Sequence, residues 1–276
     1  MIIVKKKVGF IKCNARQIFE VIGLAGAIAI PWILDLQSLF TEYLSGITVS
    51  PDNVLWYITL TFGRPVASIV LLVIAVCAIR KINDEFMMNR KYAYHDYYYA
   101  WYWFCAKILG IKKCNLVLVP IHMQFKLVIR GTFCEYPLSD EDYPAVENEP
   151  DCKVMITHED KDMRTVNLVL EDTYAIKDKQ LPKTTRGLFT IKVSRFDGSN
   201  SRHYSSKFID TIALAIKKYK RIQNLNIYAT TNPKNTLNIT RRVFGSVERG
   251  NIVHLYVFQQ ENDGERMFEN TGHKVF

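Results

Sequence analysis

Two groups of residues in this 276-residue chain have the types and spacing for chemistry. The first is a pair of loops, "RFDGSNSRHYSS" and "TTNPKN", each running from an apolar strand-like segment into an amphipathic helix-like one. They carry Ser199, Asn200, Ser201 and Arg202, and then Thr231, Asn232 and Lys234. Hydroxyls, amides and cations at helix N-termini suit an anion, because free N–H groups and the helix dipole attract negative charge. A phosphate, a nucleotide or a nucleic-acid backbone would fit that chemistry. The same residue types are also ordinary helix caps and turn formers, so a purely structural role stays open. The second group is Asp35 and Arg64, single charges inside two otherwise apolar runs. A charge within a bilayer is costly unless paired, so an intramembrane pair is one reading. An Arg that snorkels and an Asp that reaches the interface is the other.

Catalytic motifs are missing. The chain contains no G-x-x-x-x-G-K-[ST], no G-x-S-x-G and no H-E-x-x-H. "THEDKD" gathers His158, Glu159, Asp160 and Asp162, but at an expected hairpin tip, where charge is simply exposed. Cys13, Cys77, Cys105, Cys114, Cys134 and Cys152 form no C-x-x-C pair, so zinc and redox chemistry have no support from spacing. The chain is therefore read as a non-enzyme, with no catalytic residue, metal or cofactor.

The elements that must position these residues begin with the two apolar runs. "VIGLAGAIAIPWILDLQSLF" and "VLWYITLTFGRPVASIVLLVIAVCAI" each reach the roughly 20 residues that a spanning helix needs. Lys5, Lys6, Lys7, Lys12 and Arg16 precede the first run, and Arg80, Lys81, Arg90 and Lys91 follow the second. The connecting "TEYLSGITVSPDN" has no Lys or Arg. Basic residues stay inside, so both termini are expected in the cytoplasm of a multi-pass inner-membrane protein. The layout is then a cytoplasmic N-terminus at 1–17, spans at 18–41 and 54–79, and a periplasmic loop at 42–53. An aromatic juxtamembrane segment follows at 80–114, where "YAYHDYYYAWYWF" reads as an interfacial belt. Much of the formal charge of +9 sits at these flanks, so it is poor evidence for nucleic-acid binding by the remainder.

Residues 115–276 read as a cytoplasmic α/β domain. "NLVLVPIHMQFKLVIRGTF" predicts two short strands broken near Pro120. An acidic linker at 135–151 has seven acids, three prolines and no base. "KVMIT" and "RTVNLVL" predict a hairpin. "LFTIKVSRF", "LNIYAT" and "IVHLYVFQQ" predict strands that alternate with helices over "SSKFIDTIALAIKKYKRI" and "NTLNITRRVFG". That alternation implies right-handed crossovers and a partly parallel sheet, with the two loops at its carboxyl edge. The tail after Gln260 is expected to fray. The fold class is thus α/β: a transmembrane helical hairpin followed by a cytoplasmic α/β domain.

The layout across the whole chain resembles two-transmembrane effectors of bacterial antiphage defence. Retron-associated membrane effectors come first and the membrane effectors of cyclic-oligonucleotide (CBASS) systems second. The resemblance implies a toxin effector that oligomerises with its own copies, acts on the lipid bilayer and causes abortive infection. In the first case the partner would be a reverse transcriptase with its DNA–RNA hybrid, and in the second a cyclic nucleotide. A membrane-anchored enzyme and an assembly subunit are the remaining classes.

Overall fold

A computed structural model describes residues 2–276 apart from 36–37, 39–41, 43–45, 47, 56, 58–61, 91–92, 147–148, 150, 160, 197, 199–201, 246–250 and 262–263, and apart from the side chains of 2–8. The chain divides into two compact units, Met1–Met87 with Trp103–Lys112, and Met88–Tyr102 with Lys113–Phe276.

The first unit is built on the two apolar runs. Residues 21–33 of the first run lie in α1 (Ile2–Ile33) and residues 63–79 of the second in α2 (Gly63–Ile82), while 36–37, 39–41, 56 and 58–61 of the expected spans lie outside the described residues. The parts long and apolar enough to cross a membrane are Gly9–Ile33, with mean hydropathy 1.3, and Gly63–Ile82, with 2.2. Asn14 interrupts α1 with φ −115° and ψ 19°. Pro65 lies in the first turn of α2, where the proline breaks no helical hydrogen bond, so it starts the helix rather than kinking it. The Ser68 hydroxyl donates to the Ile28 carbonyl at 2.8 Å and ties the two helices together. At the basic end a buried polar clasp closes the unit. Arg16 donates to Asn83 Oδ1 at 2.7 Å, and Asn83 Nδ2 donates to Glu20 Oε2 at 2.9 Å and to the Leu109 carbonyl at 3.0 Å. Asn83 is fully buried, so satisfying its amide is what makes its burial tolerable.

The second unit opens with part of the aromatic stretch. Helix α3 (Tyr99–Lys107) begins in this unit and continues into the other. Two of the rings expected in an interfacial belt, Tyr97 and Tyr102, are buried in the protein core instead. Tyr102 is fully buried, its hydroxyl donating to the His95 carbonyl at 3.0 Å, and Tyr97 packs against it at 5.6 Å. Tyr94 and Tyr98 are exposed. Tyrosines enter this core because each buried hydroxyl finds a partner.

The two strands expected around Pro120 are instead helix α4 (Ile121–Ile129), with Pro120 at its N-cap. Met123, Gln124, Phe125, Leu127 and Val128 are buried, a wide helical face that alternation along one strand cannot produce.

The sheet has six strands: β1 (Lys153–Thr157), β2 (Thr165–Glu171), β3 (Phe189–Ser194), β4 (Asn224–Ala229), β5 (His254–Phe258) and β6 (His273–Lys274). Their order is β1-β3-β2-β4-β5-β6. The expected hairpin is absent among the described residues: β1 pairs antiparallel with β3, and β2 lies parallel to both β3 and β4. Strand β2 is buried along nearly its whole length, which marks a central parallel strand rather than a hairpin arm. Helices α5 (Ser206–Lys217) and α6 (Pro233–Phe244) connect β3 to β4 and β4 to β5. Phe208, Ile209 and Ile212 of α5, Ile239, Val243 and Phe244 of α6, and Phe125 of α4 join one sheet face. Val169, Tyr228 and Phe258 on the other face pack with Ile176, Leu181 and Phe268. The tail does not fray. Gln260 bridges Phe268, β6 pairs with β5, and Val275 is fully buried.

The architecture is therefore α/β, with an apolar N-terminal helix pair and a sheet that is parallel across β3, β2, β4 and β5.

Candidate functional site

The chain leaves β2 toward β3 on one side and later places β4 on the other side of β2. The carboxyl ends of β2 and β4 therefore flank the topological switch point, where open parallel sheets receive ligands. A cleft of about 650 Å³ lies there. Its walls come from Tyr174 after β2, Thr230 and Thr231 after β4, and Gln259 and Gln260 after β5, with Arg266 and Glu269 from the C-terminal segment. Tyr94, Ile121, Ala229 and a second carboxylate, Glu261, complete it. The volume falls within the range of about 300–1,000 Å³ typical of small-molecule sites.

Arg266 is the cation of the cleft. Its guanidinium stands 4.2 Å from the centre of the Tyr174 ring. Its backbone is in the left-handed region at φ 51°, and its carbonyl accepts from Gln260 Nε2 at 2.9 Å and Gln180 Nε2 at 3.3 Å. Those bonds hold an otherwise unfavoured backbone conformation. A braced guanidinium on an aromatic face suits a phosphate or a nucleobase. The Thr230 hydroxyl donates to the Tyr174 carbonyl at 2.8 Å, and that of Thr231 shares a 2.7 Å bond with Thr236.

Beneath the loops lies a buried network centred on Asp172. Its carboxylate pairs with Arg195 and accepts from the Asn232 backbone at 3.0 Å, from Asn232 Nδ2 at 3.2 Å and from Asn235 Nδ2 at 3.0 Å. The two asparagines also donate to the His203 carbonyl, at 2.9 Å and 3.0 Å. Burial raises the Asp172 carboxyl above its usual range, against the opposing pull of Arg195 and the asparagine donors. In neighbouring Glu171 burial also pushes upward, but hydrogen bonds from Ser194, Lys192 and the Ile176 backbone outweigh it and the carboxyl titrates low. This network welds the loops after β2, β3 and β4 into one platform.

The residues expected from sequence divide across this arrangement. Thr231 lines the cleft. Asn232 caps α6, accepting from the Asn235 backbone at 2.9 Å, and serves Asp172. Lys234 stands over the Tyr204 ring at 5.4 Å and pairs with Asp140 of the acidic segment. Arg202 is exposed, and Ser199, Asn200 and Ser201 lie outside the described residues. Asp35 and Arg64 do meet: the guanidinium pairs with the carboxylate and stands 5.8 Å from the Trp32 ring. Sequence reasoning missed Asp172, Arg195, Tyr174 and Arg266. The carboxylate pair Glu171 and Asp172 after "RTVNLVL" is a usable signal, hidden by reading that strand as a hairpin arm. Arg266 gave none, because its tail looked unstructured.

A family model matches nearly the whole chain. Residues 4–276 match the family model described as the SMODS- and Ubiquitin system-associated 2TM effector domain. The chain belongs to this family. As a 2TM effector domain it is membrane-associated, and α1 and α2 are its two apolar helices. No curated protein matches the chain. Among solved structures, this 2TM effector domain is similar to the Acinetobacter baumannii Cap4 SAVED/CARF-domain-containing receptor with the cyclic trinucleotide 3'3'3'-cAAA, at a TM-score of 0.43 and 8% identity. The likeness covers 59% of this chain and 38% of that one.

Proposed function

We propose that the chain is an antiphage membrane effector gated by a cyclic oligonucleotide, which binds the cleft between the carboxyl ends of β2 and β4. Binding would repack the α1–α2 hairpin and permeabilise the inner membrane, with both termini cytoplasmic and several copies acting together. The observation that carries the reading is Arg266 braced on Tyr174 at the switch point of a 2TM effector. A guanidinium for phosphate and a ring for a base are what a nucleotide needs. Of the two triggers that the layout implies, a DNA–RNA hybrid would need an extended basic surface. Lys207 and Lys234 are instead paired with carboxylates of the acidic segment, and that favours the small nucleotide over a hybrid held by a reverse transcriptase. The role is binding rather than catalysis, in keeping with threonine hydroxyls in the cleft that are bonded within the fold.

The test is binding of labelled cyclic di- and trinucleotides to the detergent-solubilised full chain. One of them is expected to bind, and Arg266→Ala should weaken it by about ten- to a hundredfold, the scale of a lost charge-assisted bond. In cells under phage challenge the same variant should lose uptake of a membrane-impermeant dye. Unchanged nucleotide affinity in Arg266→Ala would remove the cleft from consideration.

A further inference from the structure

The acidic segment at 135–151 has the composition of a solvated linker, yet its carboxylates make specific contacts. Asp140 pairs with Lys234 at the start of α6. Glu149 Oε2 accepts the Ser205 hydroxyl at 2.7 Å, at the N-cap of α5. Asp151 pairs with Lys207 at 2.5 Å, in the first turn of α5. Between these contacts the backbone docks too. Tyr204 N donates to the Pro144 carbonyl at 3.0 Å, Ala145 bridges Tyr204, and Tyr143 is buried. Three acids of one segment therefore sit on the two helix starts and two lysines at the carboxyl edge of the sheet.

We infer that this segment is an autoinhibitory strap, whose carboxylates stand where the phosphates of an activating polyanion would otherwise reach. The inference rests on the reading that the carboxyl edge receives an anionic nucleotide. Lys234 lies three residues beyond Thr231, which lines the cleft, so a ligand larger than the cleft would extend toward the strap. The strap is fastened in two ways. Tyr143 anchors it by burial. The ion pairs are loose, because Asp140 and Asp151 are 93% and 90% exposed. Exposed pairs each shift an equilibrium by no more than about fivefold, so a multivalent anion can displace them while the anchor keeps the strap close. Releasing the strap would uncover the starts of α5 and α6, which the Asp172 platform joins to the cleft wall.

The experiment uses the full chain expressed alone, without companion genes and without phage. The Asp140→Asn/Glu149→Gln/Asp151→Asn variant keeps side-chain size and removes three charges. Dye uptake is expected to rise roughly tenfold above wild type, and protease cleavage within 139–151 to quicken by a similar factor. Affinity for a labelled cyclic trinucleotide should increase as well. If no cyclic nucleotide binds wild type but the variant permeabilises cells, the strap is inhibitory and the trigger is a different anion. A variant that inserts normally, stays silent and binds no tighter overturns the inference. Should the triple variant fail to accumulate, the single changes Asp140→Asn and Asp151→Asn, at exposed positions, carry the same test with effects of up to about fivefold.

Discussion

Asp172→Ala should be the most damaging single change in the α/β unit. The wild-type carboxylate has a fully buried side chain, and that of its partner Arg195 is only 5% exposed. Truncation removes the buried carboxylate that pairs with this guanidinium, and breaking a buried pair from one side typically loses about 3–5 kcal/mol. It also strips the acceptor from Asn232 and Asn235, whose orphaned donors cost about 1–3 kcal/mol each if nothing replaces it. These terms overlap, because the asparagines retain the His203 carbonyl, so we expect about 4 kcal/mol in all. For a domain of 150–250 residues, 1 kcal/mol moves the melting temperature by roughly 2–4 °C. The expected fall is therefore roughly 8–16 °C, followed by far-UV circular dichroism on the solubilised full chain. Replacing both partners, Asp172→Leu with Arg195→Met, should recover most of the loss, since an apolar pair carries no desolvation penalty. An Asp172→Ala protein that melts within about 2 °C of wild type would refute the argument that the network organises the loops.

Three further expectations follow from the geometry. His122 stacks on His273 at 3.8 Å, and burial first, then the neighbouring imidazole, lowers its pKa from 6.5 to about 4. The unfolded chain then binds the extra proton, so this contribution is complete above pH 6.5 and drains away as pH falls toward 4. It amounts to about 3 kcal/mol, and His122→Gln should flatten that part of the stability–pH curve. Asp35→Ala and Arg64→Ala should each alter dye uptake during phage challenge, and exchanging the two charges should restore at least part of it; wild-type behaviour in both single variants would reduce the pair to an anchor detail. For topology, Ser45→Cys should react with an impermeant thiol reagent from outside while a reporter after Phe276 reports cytoplasm, and external labelling at the C-terminus would reverse the orientation.

Elements whose signal is local are legible from the residues alone. Apolar length marks α1 and α2, and charge at their ends suggests an orientation, because hydropathy and flanking lysines act without any folded partner. The β3–α5–β4–α6–β5 alternation is equally legible, since period and capping are written within each segment: Ser205 caps α5 and Asn232 caps α6. Strand pairing, by contrast, depends on contacts between distant segments. Nothing local distinguishes β2 as an arm of a hairpin from β2 at the centre of a parallel sheet; burial of both its faces by distant segments makes that difference. Alternating apolar residues in 121–129 suit a strand or a helix alike, and packing of Phe125 into the sheet core selects the helix. The cleft was hidden for the same reason. Tyr174, Thr231, Gln259 and Arg266 are scattered along the chain, and only the crossing order of the strands brings them to one edge.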